Sequence, residues 1–140
     1  MKKPKVLYVD DERLNLKVFE LSFAGKLDLL VASGGLEGLD ILEKESNIDV
    51  VLSDMKMPGL NGIEFITKAK EIFPEKKYFL LTGFEITPEI QTALDSGLIE
   101  KYMRKPFNKK EIESEFIAAW SNQKPSNHFR DFFEVFLLVV

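Results

Sequence analysis

The chain has 140 residues, 45% hydrophobic and 30% charged, enough for one globular domain with a real core. Its formal net charge of -4 argues against a nucleic-acid-binding surface, which is usually basic. The absence of cysteine excludes disulfides and thiolate metal sites and fits a cytoplasmic protein.

Taken in order, the chain alternates between apolar runs and amphipathic stretches. Lys2, Lys3 and Lys5 precede the run Val6 to Val9, which Asp10 breaks far short of a signal-peptide core. No stretch approaches the ~20 apolar residues that span a bilayer. Val6 to Val9 predicts a buried strand ending in Asp10-Asp11-Glu12. A helix is expected from Glu12 to about Ala24, with Leu14, Val18, Leu21 and Phe19 as its apolar stripe and Gly25 as its stop. Leu27 to Ala32 predicts a second strand. Ser33 reads as the cap of a helix over Gly35 to Glu45, carrying Leu39 and Leu42 inward. The third strand, Asp49 to Ser53, lacks polar alternation and suits a position buried on both faces. Asp54 follows it, then a Pro58-Gly59 turn, the loop end Asn61-Gly62, and a helix over Ile63 to Phe73 stopped by Pro74. Lys77 to Leu81 predicts the fourth strand. Thr87 caps the next helix, Pro88 fills its first turn, and Gly97 ends it after Ser96. Ile99 to Arg104 predicts a short fifth strand, and Asn108 the cap of a last helix reaching about Asn122.

Five strands alternating with five helices imply parallel βαβ units and a three-layer α/β sandwich. In such a sheet, chemistry sits beyond the carboxyl ends of the strands. The first, third, fourth and fifth strands place Asp10 and Asp11, Asp54, Thr82, and Lys105 there. Clustered carboxylates repel unless a cation lies between them or their pKa values rise. Oxygen-only donors with no histidine or cysteine nearby favour a hard ion such as Mg2+. A lysine and a hydroxyl facing that ion suit a bound anion. Together these groups describe phosphoryl transfer onto Asp54 as an acyl phosphate.

These pieces carry a resemblance. Val9-Asp10-Asp11-Glu12, Ser53 to Gly59 with Gly62, Leu81-Thr82-Gly83 and Tyr102 to Phe107, each after a predicted strand, resemble the receiver domain of two-component response regulators. The resemblance covers Lys3 to about Ser121 and implies a flavodoxin-like doubly wound five-stranded sheet of order 2-1-3-4-5. It implies that Asp54 takes a phosphoryl group from a sensor histidine kinase or a phosphotransfer protein. Asp11, Asp54 and the Lys56 carbonyl would coordinate Mg2+, with Asp10 contributing through water. Thr82 and Lys105 would bind phosphoryl oxygens, Tyr102 would be the aromatic switch, and the Lys105-Pro106 bond would be cis. The chain would be a signalling phosphoacceptor catalysing its own phosphotransfer and dephosphorylation, not an enzyme with an outside substrate. Partners or a homodimer would use the face of the fourth helix, fifth strand and fifth helix, and the tail offers a second dimer surface. No direct nucleic-acid binding is expected.

Single residues also admit rival readings. Asp54 also suits a turn, Thr82 a plain strand end and Tyr102 a half-buried strand position. Gly83 keeps the pocket open, and bulky Phe84 beside it slows water reaching the acyl phosphate. His128 lies outside every motif. A haloacid-dehalogenase-type phosphatase or phosphotransferase shares the chemistry, but its nucleophile follows the first strand as Asp-x-Asp, whereas Asp10 and Asp11 are adjacent. A receiver-like interaction module that takes no phosphate is the third reading. A nucleotide-binding flavodoxin-like protein fits poorly, because acids stand where a glycine-rich cradle is needed.

Domain boundaries follow from composition. Residues 1–121 form the receiver-like unit, 122–128 have linker composition, and 129–140 are strongly apolar. Phe129, Phe132, Phe133, Phe136, Leu137 and Val140 fall at helical spacing, with a strand as the rival because β-formers abound. The expectation is a helix packed on the domain or across a dimer, since so much exposed apolar surface invites aggregation. Truncation after Gln123 is then expected to lower the melting temperature or dissociate an oligomer. Unchanged melting and unchanged mass in solution would refute it.

Overall fold

The computed structural model describes residues 3–83 and 85–121; the expectations for Phe84, His128, the linker and the apolar tail fall outside the described residues. Five strands form one parallel sheet: β1 (Lys5–Val9), β2 (Asp28–Ala32), β3 (Val50–Asp54), β4 (Lys77–Thr82) and β5 (Lys101–Arg104). Their order is β2-β1-β3-β4-β5, the flavodoxin-like order expected. Between them run α1 (Arg13–Ser22), α2 (Gly35–Lys44), α3 (Gly62–Ile72) and α4 (Pro88–Asp95), and α5 covers 109–121 within the described residues.

The apolar runs lack alternation because helices cover both faces of the sheet. Leu7, Val9, Val51, Tyr78 and Leu80 pack with Leu42, Phe65, Ile66, Ala69, Ile90 and Ala93, forming the core layer of α2, α3 and α4. Val6, Tyr8, Val50, Leu52, Phe79 and Leu81 point the other way and pack with α1 and α5 through Leu16, Phe19, Phe23, Ile112 and Phe116. Adjacent strand residues therefore serve opposite layers, as the two-residue strand period requires.

The caps explain where the helices begin. Asn61 accepts the Glu64 N–H at 2.8 Å while the Glu64 carboxylate accepts the Asn61 N–H at 3.0 Å, a reciprocal capping box. Thr87 caps α4 through the Ile90 N–H at 3.2 Å, with Pro88 in the first turn. Asn108 caps α5 through the Glu111 N–H at 3.0 Å. Gly25 and Gly97, the expected stops, hold positive φ values of 79° and 80° beyond their helices.

Two expectations are corrected. The stripe Leu14, Val18 and Leu21 is not the buried face of α1: these residues are 73%, 44% and 68% exposed. Leu16, Phe19 and Phe23 face inward instead, and the rings of Phe19 and Phe23 stack with Tyr8 and Phe107. Both rows have helical spacing, and the aromatic row buries more area against the sheet. Ser33 does not cap α2 either. Gly34 holds the cap position without a side-chain bond, and the Ser33 hydroxyl donates to the Glu37 carboxylate at 2.8 Å.

Lys76, just before β4, is 4% exposed, and its ammonium donates to the carbonyls of Ile48 and Ser46 at 2.8 and 3.1 Å, in the segment that leads into β3. Burial pulls its pKa down.

Gly62 lets the first turn of α3 sit against the end of β3. A Cβ there would run into the Asp54 carbonyl oxygen, stand 2.7 Å from Leu80 Cδ1 and 3.0 Å from Met55 Cα. Backbone cannot yield as a side chain does, so Gly62→Ala is expected to destabilise the protein by roughly 1–3 kcal/mol. A denaturant midpoint equal to that of the wild type would contradict this close approach.

Candidate functional site

Parallel register brings the carboxyl ends of four strands together. Val9 pairs with Ser53, Asp54 with Leu81, and Thr82 with Arg104, so the residues that end or follow these strands share one rim. Asp10, Asp11 and Asp54 each offer an oxygen within 4.8 Å of the others. The Lys105 ammonium reaches across to Asp54 Oδ1 at 3.1 Å and Asp10 Oδ2 at 3.5 Å. Its peptide bond to Pro106 is cis.

A pocket of about 540 Å³ opens on this rim. Asp11, Glu12, Asp54, Lys56, Gly83 and Lys105 line it, with Met57 and Pro58 as an apolar edge. Thr82 ends β4 and is buried, and its carbonyl accepts the Lys105 N–H at 2.9 Å. Neither Thr82 nor Asp10 is among the pocket-lining residues. Tyr102 lies on β5, half-buried against the same core cluster as Ile90 and Ala93, and also stands outside the lining. A methyl group on Gly83 would meet only the Lys105 stem at 3.8 and 3.9 Å, ordinary contact. Protein packing thus does not demand glycine at that position.

Asp10 is 0% exposed and is bonded on both oxygens. Oδ1 accepts the Glu12 N–H at 2.9 Å, and Oδ2 accepts the Tyr8 hydroxyl at 2.6 Å and the Asn15 amide at 3.1 Å. Sequence reasoning passed over Tyr8 and Asn15. The signal was available for Tyr8: two residues before Asp10 on a strand, it must point to the same side. Burial and the Asp10 carboxylate hold the Tyr8 phenol far above its ordinary range, so it remains a donor.

The electrostatics follow from burial and crowding. Asp54 is raised above its ordinary value, chiefly by burial, with Lys105 opposing and Asp10 and Asp11 adding to the rise. Burial would lower Lys105, but the Asp54 and Asp10 carboxylates outweigh it and the net shift is upward. Lys105 is therefore an ammonium at neutral pH. The donor set, three carboxylates without histidine or cysteine, fits a hard divalent ion such as Mg2+. A second groove, lined by Leu14, Asn15, Val18, Pro106 and Phe107, adjoins the site at Lys105. Among the described residues no helix is long and apolar enough to cross a membrane.

Comparison with known proteins points to one family. A family model described as response regulator receiver domain matches residues 6–117. The chain is similar to a chemotaxis protein CheY homolog of Campylobacter jejuni, 34% identical over 110 residues, which cover 74% of this chain and 82% of that relative. It is also similar to the response regulator protein VraR of Staphylococcus aureus, 30% identical over 110 residues, covering 77% of this chain and 52% of VraR. The solved structure of a response regulator receiver domain protein from Clostridium thermocellum superposes with a TM-score of 0.80 at 31% identity, covering 86% of this chain and 97% of that one.

The raised pKa of Asp54 makes its charge a cost to the metal-free fold. Below the ordinary carboxyl value of 3.8 the group is protonated in both folded and unfolded chains, and the cost vanishes. As pH rises through the higher folded value, the folded state must give up a proton it holds more tightly, and the cost appears. Metal-free Asp54→Asn is therefore expected to melt roughly 2–8 °C above wild type at neutral pH. The gap should close toward pH 3. A lower melting temperature for the variant at neutral pH would show that its bond to Lys105 outweighs burial and repulsion.

Proposed function

The chain belongs to the response regulator receiver domain family, and from that premise we propose that Asp54 accepts a phosphoryl group in a Mg2+-dependent reaction. The observation that carries this reading is the Lys105 ammonium 3.1 Å from Asp54 in a pocket that Asp11 also lines. The donor is the phosphohistidine of a sensor histidine kinase or a phosphotransfer protein. Exposed Leu14 and Val18, in the groove beside Lys105, supply apolar surface for such a partner. The setting is the cytoplasm, where such donors present their histidines.

In the reaction, an Asp54 carboxylate oxygen attacks phosphorus as the phosphorus–nitrogen bond breaks. The electron pair of that bond returns to the imidazole. Lys105 keeps Asp54 ionised before attack and then pairs with the added phosphoryl oxygens, helped by the Thr82 hydroxyl. Asp11, Asp54 and the Lys56 carbonyl would hold Mg2+, with Asp10 acting through water. The ion would supply Lewis-acid charge against the crowded carboxylates and the phosphoryl oxygens. In a separate second step, water attacks the acyl phosphorus as the bond to the Asp54 oxygen breaks, which returns the Asp54 carboxylate and releases inorganic phosphate. The chain is thus a phosphoacceptor that catalyses its own modification and its own reset.

Signalling follows from the difference in contacts that a phosphorylated Asp54 makes in two pre-existing states. Thr82 and Tyr102 move between them, and the face of α4, β5 and α5 changes its fit to a partner or to a second copy of the chain.

Incubation with Mg2+ and acetyl phosphate is expected to modify the wild type and not Asp54→Asn. Asp11→Asn should strongly weaken Mg2+ binding, whereas Lys105→Ala should spare it and impair phosphorylation. With beryllofluoride, amide shifts should move across 86–96 and 99–104. Equal modification of wild type and Asp54→Asn would refute the assignment.

A further inference from the structure

The three carboxylates of the site are not equivalent. Asp11 and Asp54 line the pocket, whereas Asp10 does not and is 0% exposed. A carboxylate oxygen has two lone pairs, yet three donors crowd Asp10 Oδ2. These are the Tyr8 hydroxyl at 2.6 Å, the Asn15 amide at 3.1 Å and the Lys105 ammonium at 3.5 Å. The Glu12 N–H takes Oδ1 at 2.9 Å.

The two uncharged side-chain donors are themselves fixed. The Tyr8 ring is 1% exposed and packs on Phe19 with centroids 4.2 Å apart, and Phe19 in turn packs on Phe23 and Phe107. Asn15 stands in the first turn of α1, whose buried face is anchored by Leu16 and Phe19. The hydroxyl and amide thus reach Asp10 from two elements locked by one aromatic cluster. Short hydrogen bonds to an ionised acceptor are strong and draw negative charge off the accepting oxygen.

We propose that Tyr8 and Asn15 are positioning residues that hold Asp10 outside the inner ligand set of the divalent cation, leaving Asp11 and Asp54 to face it. They thereby set the cation affinity of the site below what a third freely directed carboxylate would give. The proposal rests on the reading that this cluster takes a divalent cation. Its consequence is a gain: removing a donor returns charge to Asp10, and the site binds Mg2+ more tightly. A side chain needed only for packing would show the opposite, since disorder among ligands weakens binding.

Mg2+ binding is measured by calorimetry and by displacement of Mn2+ followed by electron paramagnetic resonance. Tyr8→Phe, which keeps the ring on Phe19, is expected to lower the Mg2+ Kd roughly 3- to 10-fold, part of the value of a hydrogen bond to a charged group. Asn15→Ala should move it the same way, and thermal melts report whether each variant is folded. In an Asp10→Asn background, Tyr8→Phe should leave the Kd unchanged, because the carboxylate it acts through is gone. Unchanged or weaker binding by folded Tyr8→Phe, or equal tightening in the Asp10→Asn background, overturns the proposal. Absence of Mg2+ binding by the wild type would instead overturn the cation reading itself, and is told apart by the wild-type titration alone.

Discussion

Like-charge repulsion at the end of the sheet is the constraint around which this molecule is built. Carboxylate oxygens of Asp10, Asp11 and Asp54 lie within 4.8 Å of one another. At that separation or closer, each pair of full charges repels by about 3.5 kcal/mol or more at an effective dielectric constant near 20. Such a cluster does not assemble on a soft frame, because a yielding backbone would let it spread. Lys105 offsets part of the charge by pairing with two of the three, from just beyond the end of β5. Its own placement therefore depends on β5 staying in register with β4.

The frame answers that load from both sides of the sheet. β1, β3 and β4 are buried on both faces, so a slip of one residue would send every apolar side chain of these strands into the wrong layer. Behind Asp54, α3 approaches so closely that only a glycine fits at its first position, and the Asn61–Glu64 box fixes where that helix starts. Behind Asp10, the stack of Tyr8, Phe19, Phe23 and Phe107 performs the same service from α1 and the β5–α5 turn. The backbone positions of Asp54 and Asp10 are thus set by close helix packing and by the aromatic cluster. Rigid placement is what lets charged groups act without reorganising.

Much of this could be read from residue types because burial leaves local marks. Two-sided burial turns a strand into an unbroken apolar run, as in Val50 to Leu52, and a side-chain acceptor marks a helix start where one is used, as at Thr87 and Asn108. The cluster Asp10, Asp11, Asp54 and Lys105 was legible because strand ends are the chemically special positions of a parallel sheet. What escaped was what local spacing leaves degenerate. On α1 two rows share helical spacing, and only the partners across the layer select Phe19 and Phe23 over Leu14 and Val18. At Gly34 the chain enters α2 without a side-chain cap, so Ser33 looked equivalent until its hydroxyl was seen on Glu37. Lys76 is ordinary by type, and its burial follows from carbonyls contributed by residues 28 and 30 positions earlier.

The layer formed by α1 and α5 also sets an order of events during synthesis. Leu16, Phe19 and Phe23 are covered by Phe107, Ile112 and Phe116, which the ribosome delivers about ninety residues later. At translation rates of roughly 5–20 residues per second, that leaves the apolar face of α1 without its cover for about 5–20 s. The other layer, closed by helices from the middle of the chain, can consolidate sooner. The nascent protein is therefore expected to pass through a half-finished sandwich, with one side sealed and the other sticky. Chaperone engagement during synthesis should be sought on that first helix.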